Sequence, residues 1–235
     1  MANLKEIRNR ITSISSTMQI TSAMKMVSAA KLKKAQDAIT AMRPYAEKLT
    51  ELLQNLSATL DGDVGGDYTS LREIKKVLVV AITSNRGLCG ALNSNVLKQV
   101  KILTEKYGHD NVGIFAIGKK GNDILSKSLT VVDNQSAIFD HLTFDNVAVI
   151  AETLTQKFIT GEYDKIELVY NQFKNAAVQI VQAEQFLPVE PSASASTTSN
   201  TDYIFEPNKE TIVENLIPKS LKTQLRSEER RVGKE

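Results

Sequence analysis

The stretch LKEIRNRITSISSTMQITSAMKMVSAAKLKKAQ, residues 4–36, begins a hydrophobic pattern that continues to about residue 60. With Leu4 at heptad position a, only Thr21, Lys25 and Ser28 interrupt the apolar a and d positions, which are Leu4, Ile7, Ile11, Ile14, Met18, Leu32, Ala35, Ile39, Met42, Ala46, Leu49, Leu53, Leu56 and Leu60. An apolar 3-4 spacing held this long is typical of a coiled-coil seam. At ~1.5 Å per residue the helix would be about 85 Å long. We therefore predict one long helix over residues 1–60 that needs a partner.

The charge of this predicted helix is uneven, although the whole chain carries a net charge of only +2. Over the first 43 residues only Glu6 and Asp37 oppose the basic residues Lys5, Arg8, Arg10, Lys25, Lys31, Lys33, Lys34 and Arg43. A helix with this imbalance is a basic rod, which predicts an acidic partner.

Between Met18 and Ala30, apolar residues leave the seam and form a second stripe at Ile20, Met24 and Val27, with Met26 among the outer positions. A helix that is apolar on several sides is enclosed on several sides. Aromatic residues are absent before Tyr45, so base stacking on nucleic acid and aromatic anchoring at a membrane surface are both disfavoured. A surrounding protein sleeve fits better, with Lys25 and the cluster Lys31, Lys33 and Lys34 meeting its charges.

The ends of the predicted helix carry clear signals. Asn3 can cap its start, with Glu6 reaching back toward the cap. Pro44 predicts a bend near residues 40–44, but the seam keeps its phase there, which favours a kink over a break. Glycine and aspartate residues between 61 and 66 end the helix and begin a linker over residues 61–73.

From residue 74 the pattern changes to alternating strands and helices, which predicts a Rossmann-like, doubly wound α/β domain over residues 74–190. Strands are expected at 74–83, in the middle of the sheet, and at 111–118, with a third within 130–139. Helices are expected at 91–106, 119–128 and 144–160, followed by a hairpin of strands at 165–173 and 178–189. Residues 191–200 read as a mobile loop, 203–207 as an edge strand, and 208–225 as a helix interrupted near Pro218.

The sequence contains few candidate catalytic or ligand-binding residues. The loop Ser84 to Gly90 follows the first strand, where doubly wound proteins bind phosphates, but it matches neither GxxxxGK[ST] nor GxGxxG. A turn or protein-contact loop is favoured over nucleotide binding. The single Cys89 permits no internal disulfide, fits a reducing compartment, and is expected to be structural in preference to nucleophilic. His109 and His141 read as surface residues, so no catalytic, metal or cofactor site is predicted.

Length and composition describe an ordinary globular protein. The 235 residues are 42% hydrophobic and 24% charged, which is consistent with one or two domains. No run of eighteen apolar residues occurs, and the charged N-terminus has no apolar signal region. We expect a chain that neither spans a membrane nor is secreted.

Two separate motifs carry a resemblance to a known family: IRNRITSISSTMQITSAMKMVSAAKLKKAQ with RPYAE from Arg43, and SNRGLCGALN from Ser84. From about residue 1 to 225, the chain resembles the γ subunits of F-type ATP synthases, the central rotor shafts. The resemblance implies an antiparallel coiled coil of the first and last helices inside a ring of α and β subunits, above a Rossmann-like base domain. It also implies a non-catalytic subunit that couples ion-driven rotation to conformational change at catalytic sites on the β subunits.

The same resemblance implies specific contacts. The MKMV motif at Met24, Lys25, Met26 and Val27, with Ile20 and the cluster Lys31, Lys33 and Lys34, matches the part of the shaft that meets acidic levers of the β subunits. The loop residues Arg86, Gly87, Leu88, Cys89 and Gly90 match a structural or subunit-contacting loop. The further partners implied are the ε (δ-type) subunit and the membrane c-ring, with no nucleic acid. Membrane association is then indirect, at the cytoplasmic face of the bacterial inner membrane.

The family pattern continues beyond the equivalent of Leu225 in a final long helix, whereas RSEERRVGKE at 226–235 is charged and continues no heptad. We expect a truncated reading frame or a foreign junction after Leu225, and self-association through the exposed seam. Two alternatives stay open. A doubly wound enzyme using the Ser84 to Gly90 loop predicts stabilisation by nucleotides. A basic coiled-coil tether or nucleic-acid binder predicts salt-sensitive retention on DNA or RNA.

Overall fold

The computed structural model describes residues 3–58, 68–70, 72–175, 178–189 and 209–232. The helices are α1 (Leu4–Ala58), α2 (Leu92–Tyr107), α3 (Lys119–Leu125), α4 (Phe144–Ile159) and α5 (Lys209–Val232). The strands are β1 (Val77–Ile82), β2 (Val112–Ile117), β3 (Val131–Asn134), β4 (Lys165–Phe173) and β5 (Gln179–Leu187), and short 3-10 helices cover His109–Asn111 and Ser136–Asp140. The predicted loop at 191–200 and edge strand at 203–207 lie outside the described residues.

The five strands form one sheet in the order β3-β2-β1-β4-β5. β1 pairs in parallel with β2 and β4, β2 pairs in parallel with β3, and β4 and β5 form the predicted antiparallel hairpin. Every residue of β1 and β2 is buried, as their uninterrupted apolar runs predict. The doubly wound prediction with β1 in the middle is therefore confirmed. Because the chain moves outward from β1 to β3 and then returns to the other side of β1, the strand order reverses between β1 and β4.

Helices cover both faces of the sheet. On one face, α4 and α5 pack over a core that includes Phe115, Phe158 and Leu168. On the other face, α2 packs with Val96 and Val100 against β1 and β4. The apolar spacing of α2 and α4 places these residues on one side of each helix, which is why the two crossovers can pack onto the sheet.

The long helix α1 begins as predicted at Asn3, whose side-chain oxygen accepts a hydrogen bond from the backbone N–H of Lys5 at 3.3 Å. The helix continues without a break through Pro44. The constant phase of the apolar seam across this proline is consistent with that continuity.

The predicted interruption at Pro218 is wrong, because α5 is continuous from Lys209 to Val232. A proline inside a helix costs about 3 kcal/mol through the lost hydrogen bond and its clash with the preceding turn. Ile217, Leu221 and Leu225, spaced by four residues, are all buried in the core. Fully burying one such side chain contributes about 1.5–3 kcal/mol, so three of them outweigh the proline. The same helix extends to Val232, into the charged segment after Leu225 that continues no heptad.

A polar cluster lies where β4 begins. The Lys165 Nζ is 2.8 Å from the Glu167 Oε1, and the Tyr107 hydroxyl donates to the same oxygen at 2.7 Å. The two side chains of the ion pair are only 15% and 8% exposed. Burial lowers the pKa of Lys165, but the hydrogen bonds with Glu167 and Tyr107 outweigh it and raise the pKa above its ordinary value of 10.5. The cluster ties the end of α2 to the sheet.

Replacing Lys165 with methionine is expected to lower the free energy of unfolding by about 2–4 kcal/mol near neutral pH, because the Glu167 carboxylate stays buried without its cation. The folded-state pKa of Lys165 is raised, so its stabilising effect is complete below pH 10.5 and is lost as the pH rises through the folded-state value. Urea unfolding between pH 7 and pH 11 measures the difference from wild type, which should shrink at the alkaline end. The double variant K165M/E167Q serves as the control and should recover more than half of the loss. If Lys165→Met lowered the free energy of unfolding by the same amount at every pH, the charge of Lys165 would not be the source of the stabilisation.

Candidate functional site

The first half of α1, residues 4–34, is exposed at every position. Its exposed apolar residues belong to both predicted stripes and include Leu4, Ile7, Ile11, Ile14, Met18, Ile20, Met24 and Val27. The described part of the chain packs α5 against α1, but the buried residues of α1, Ala35 and Leu49, both lie beyond residue 34. Within the described residues, therefore, nothing covers the seam of the first half of α1.

The charged residues of this half-helix also face solvent. Lys25, Lys31, Lys33 and Lys34 are exposed, and none of them forms an ion pair with a described residue. The hydroxyl groups of three neighbouring threonines donate to the carbonyl four residues earlier, so they are satisfied within the helix; these are Thr12, Thr17 and Thr21. What the first half of α1 offers to a partner is apolar surface and positive charge.

The predicted contact loop at residues 84–90 is held by two asparagines. Asn93 accepts a hydrogen bond from the Ser84 N–H at 3.0 Å, and its amide donates to the Ser84 Oγ at 2.8 Å and to the Cys89 Sγ at 3.0 Å. Asn85 accepts from the Lys119 N–H at 2.8 Å and donates to the Ser136 carbonyl at 2.9 Å. These bonds fix the loop to α2 on one side and to α3 on the other.

Leu88 lies in this hydrogen-bonded loop, in a backbone conformation that leucine seldom adopts. Its φ is +65°, in the left-handed region, and its side chain is fully exposed. The left-handed region costs a residue with a Cβ about 1–2 kcal/mol. Within the described residues no apolar contact offsets this cost, which makes Leu88 a candidate for contact with a partner.

A groove of about 1040 Å³ separates the loop from α1 and is called the α1 groove here. Its lining includes nine of the residues singled out from the sequence: Ile20, Met24, Lys25, Val27, Lys31, Arg86, Gly87, Leu88 and Cys89. Two motifs that are about sixty residues apart in the chain therefore face one space. Met26, Lys33, Lys34 and Gly90, which were predicted with them, are not part of its lining.

The floor of the α1 groove comes from residues that the sequence did not indicate, at the carboxyl end of β4 and the start of β5: Asn171, Phe173 and Gln179. Asn171 is only 4% exposed, and its amide donates to the Leu92 carbonyl at 2.9 Å. Its Oδ1 accepts no hydrogen bond from the described part of the chain. The strand order explains the position, because the carboxyl ends of β1 and β4 meet where the order reverses.

The described residues contain no group of three or more histidine, cysteine, aspartate or glutamate side chains arranged to hold a metal ion. Among the same residues, no helix combines the length and the apolar character needed to cross a membrane. The α1 groove itself has apolar and basic walls, which suit the binding of another polypeptide.

Comparisons with known proteins agree on one family. A family profile described as ATP synthase matches residues 3–227. The chain is 76% identical to the ATP synthase gamma chain of Flavobacterium psychrophilum over 225 residues, which are 96% of this chain and 79% of that protein. It is 62% identical over 226 residues to the ATP synthase gamma chain of Christiangramia forsetii, with the same shares covered. In fold it is similar to a chain of the Tetrahymena thermophila mitochondrial ATP synthase central stalk and c-ring structure, with a TM-score of 0.66, 24% identity, and 91% and 92% of the two chains covered.

Proposed function

Because the chain belongs to the family of ATP synthase gamma chains, we propose that it forms the central shaft of an F-type ATP synthase. In this role it couples ion-driven rotation to conformational change at the catalytic sites of the β subunits. The observation that carries the proposal is the first half of α1, a helix with an exposed seam, a second apolar stripe and cations that form no ion pair with a described residue. Such a helix fits an axle that is enclosed by a ring of subunits.

The proposed mechanism rests on the unlike faces of this helix. Ile20, Met24 and Val27 present apolar surface on one side of the helix, whereas Lys25, on another side, presents positive charge. As the shaft turns, each β subunit meets these faces in sequence, and an acidic lever on β interacts more strongly with the basic face than with the apolar one. A partner's conformational equilibrium shifts only by such a difference in interaction free energy.

In this proposal the chain is not itself the catalyst. The ATP chemistry belongs to the β subunits, and the chain holds no cofactor, metal ion or catalytic residue of its own. Its part is mechanical, and the residues that matter are those that contact other subunits: the two stripes of α1, the lysine cluster and the loop at 86–90.

The α and β subunits are the proposed partners of the first half of α1. The α/β domain is the proposed contact for the ε subunit and the membrane c-ring. The complex is then held at the cytoplasmic face of the bacterial inner membrane through the ring, and the chain is peripheral. The exposed lysines favour partners with acidic surfaces over nucleic acid, since the rod has no aromatic residue before Tyr45.

Co-purification tests the proposal. The chain is expressed with the α and β subunits of F. psychrophilum ATP synthase, and the γ chain of that bacterium serves as the positive control. The expected result is a single complex that contains all three chains. If the F. psychrophilum γ chain assembles and this chain does not, the proposed role is wrong for this chain.

A further inference from the structure

The segment that joins α1 to the sheet is held to the α/β domain at several points. Its described residues are 68–70 and 72–76. The Val189 N–H donates to the Tyr68 carbonyl at 3.0 Å, and Tyr68 packs against the core. Segments that join two parts of a protein are usually exposed and have few contacts with either part. The close attachment of this segment therefore requires an explanation.

Arg72, in this segment, reaches the carboxyl end of α4. Its Nη1 donates to the Phe158 carbonyl oxygen at 3.1 Å, and its guanidinium carbon lies 5.3 Å from the centroid of the Phe158 ring. Phe158 is fully buried in the core, whereas Arg72 is half-buried. A cation at the carboxyl end of a helix interacts favourably with the last carbonyl groups and with the helix dipole. One side chain thus fastens the segment both to the backbone of α4 and to the core.

Asp164 fastens the last residues of the segment. Its Oδ2 accepts hydrogen bonds from the N–H groups of Lys75 at 3.0 Å and Lys76 at 2.9 Å, and its own N–H donates to the Lys76 carbonyl at 2.9 Å. The chain then enters β1 at Val77, in the middle of the sheet. Because Arg72 precedes this point in the chain, a pull from the side of α1 reaches Arg72 before it reaches β1.

We propose that Arg72 is a mechanical anchor, which passes a force on α1 to α4 and to the core before the force reaches β1. Without the anchor, the hydrogen bonds of the central strand would bear the load. Arginine suits this role because its planar guanidinium donates a hydrogen bond and stacks on a ring at the same time, whereas the compact ammonium of lysine has no plane that could stack. The use of the anchor rests on the proposed function, in which α1 and the α/β domain turn as one body.

Optical tweezers test the anchor on the full chain alone. Handles are attached through Lys34→Cys on α1 and Lys101→Cys on α2, which are both exposed positions, in a Cys89→Ser background. The quantity measured is the lifetime of the folded α/β domain at constant force. Arg72→Met should shorten this lifetime about tenfold, because it removes one charged hydrogen bond and one cation–π contact.

Two controls separate an anchor from a general stabiliser. Lys75→Met removes a cation from the same segment, but this side chain is 73% exposed, so the lifetime should stay within about twofold of wild type. Handles at Lys101→Cys and Lys174→Cys pull on the α/β domain without pulling on the segment. In that geometry Arg72→Met should shorten the lifetime by less than about threefold, since the unfolding rate under force depends on which contacts bear the load.

Equal lifetimes of wild type and Arg72→Met under a pull on α1 would overturn the proposal. Equal shortening in both pulling geometries would overturn it as well, because Arg72 would then stabilise the domain as a whole. If Arg72→Met does not fold, Arg72→Lys is measured by the same criteria, with an expected shortening of about threefold because the charge remains while the stacking is lost. The measurement needs no other subunit, so co-purification with α and β reports separately on the proposed function.

Discussion

Replacing Gly118 with alanine is expected to lower the free energy of unfolding of the α/β domain by more than about 4 kcal/mol, a large part of the 5–15 kcal/mol typical of a folded protein. Gly118 directly follows β2 and has a φ of +112°, which residues with a Cβ seldom adopt. A Cβ there would lie 2.1 Å from the Thr83 carbonyl oxygen and 2.6 Å from its carbonyl carbon. Both are backbone atoms, so no side-chain rotation relieves the clash.

The contacts around Gly118 explain why the expected loss of stability is large. Thr83 is fully buried at the end of β1, its N–H donates to the Ile117 carbonyl at 2.8 Å, and its hydroxyl accepts from the Gly121 N–H at 2.9 Å. Moving the Thr83 carbonyl away from a new methyl group would break the junction of β1, β2 and α3 together. Because a close-packed interior can rearrange only slightly, the clash lowers the stability of the whole folded domain.

Hydrogen exchange of the β1 and β2 amides measures the effect of Gly118→Ala without interference from the long helix α1. Gly87→Ala is the matched control, since the nearest atom to a Cβ at Gly87 is the Lys120 Cε at 3.9 Å. The control should change the exchange free energy by less than about 1 kcal/mol. If the β1 and β2 amides of the two variants were equally protected from exchange, the close approach of Gly118 to Thr83 would not be needed for stability.

Much of the fold could be predicted from local patterns. The apolar runs of β1 and β2 predicted buried strands, and their flanking helices predicted parallel pairing, because both signals act over a few residues. The predicted interruption of the helix at Pro218 is wrong because contacts between residues distant in sequence decide the structure there. Local chemistry opposes a helix there, and tertiary burial of Ile217, Leu221 and Leu225 decides the outcome. The apolar residues of a helix cannot be weighed against a proline until the core that buries them is known.

The candidate site also contains some residues that local sequence patterns could predict and others that they could not. The stripes of α1 and the loop at 86–90 were predicted from residue type and spacing, whereas Asn171 and Phe173 were not. These two belong to β4, which lies about eighty residues beyond the loop in sequence and reaches it only through the strand order β3-β2-β1-β4-β5. Knowledge of that order alone would have placed the end of β4 beside the loop that follows β1. The enclosure of the second stripe stays a prediction, since it concerns partners outside this chain.

Replacing Met24 with glutamate is expected to reduce ATP synthesis by the assembled complex by more than about tenfold, which corresponds to ~1.4 kcal/mol or more. Met24 belongs to the second apolar stripe and is 65% exposed in the isolated chain. Methionine and glutamate have similar helix propensities, so the isolated chain should keep its stability. In the proposed ring the same side chain is enclosed, and a carboxylate there is both desolvated and close to the acidic levers of β. The loss should therefore appear only on assembly.

Inverted membrane vesicles that contain the complex give the measurement, with ATP synthesis driven by an imposed ion gradient. Met24→Leu controls for side-chain shape and should retain nearly full synthesis. Val149→Glu, on α4, introduces the same charge at a residue that is 61% exposed, and it should retain synthesis because it lies outside the proposed axle. A Met24→Glu complex that synthesises ATP at the wild-type rate would mean that the second stripe faces water inside the ring. The first half of α1 would then be a coiled-coil strand with one buried side, and its differential contacts with β would have to come from Lys25 and the lysine cluster alone.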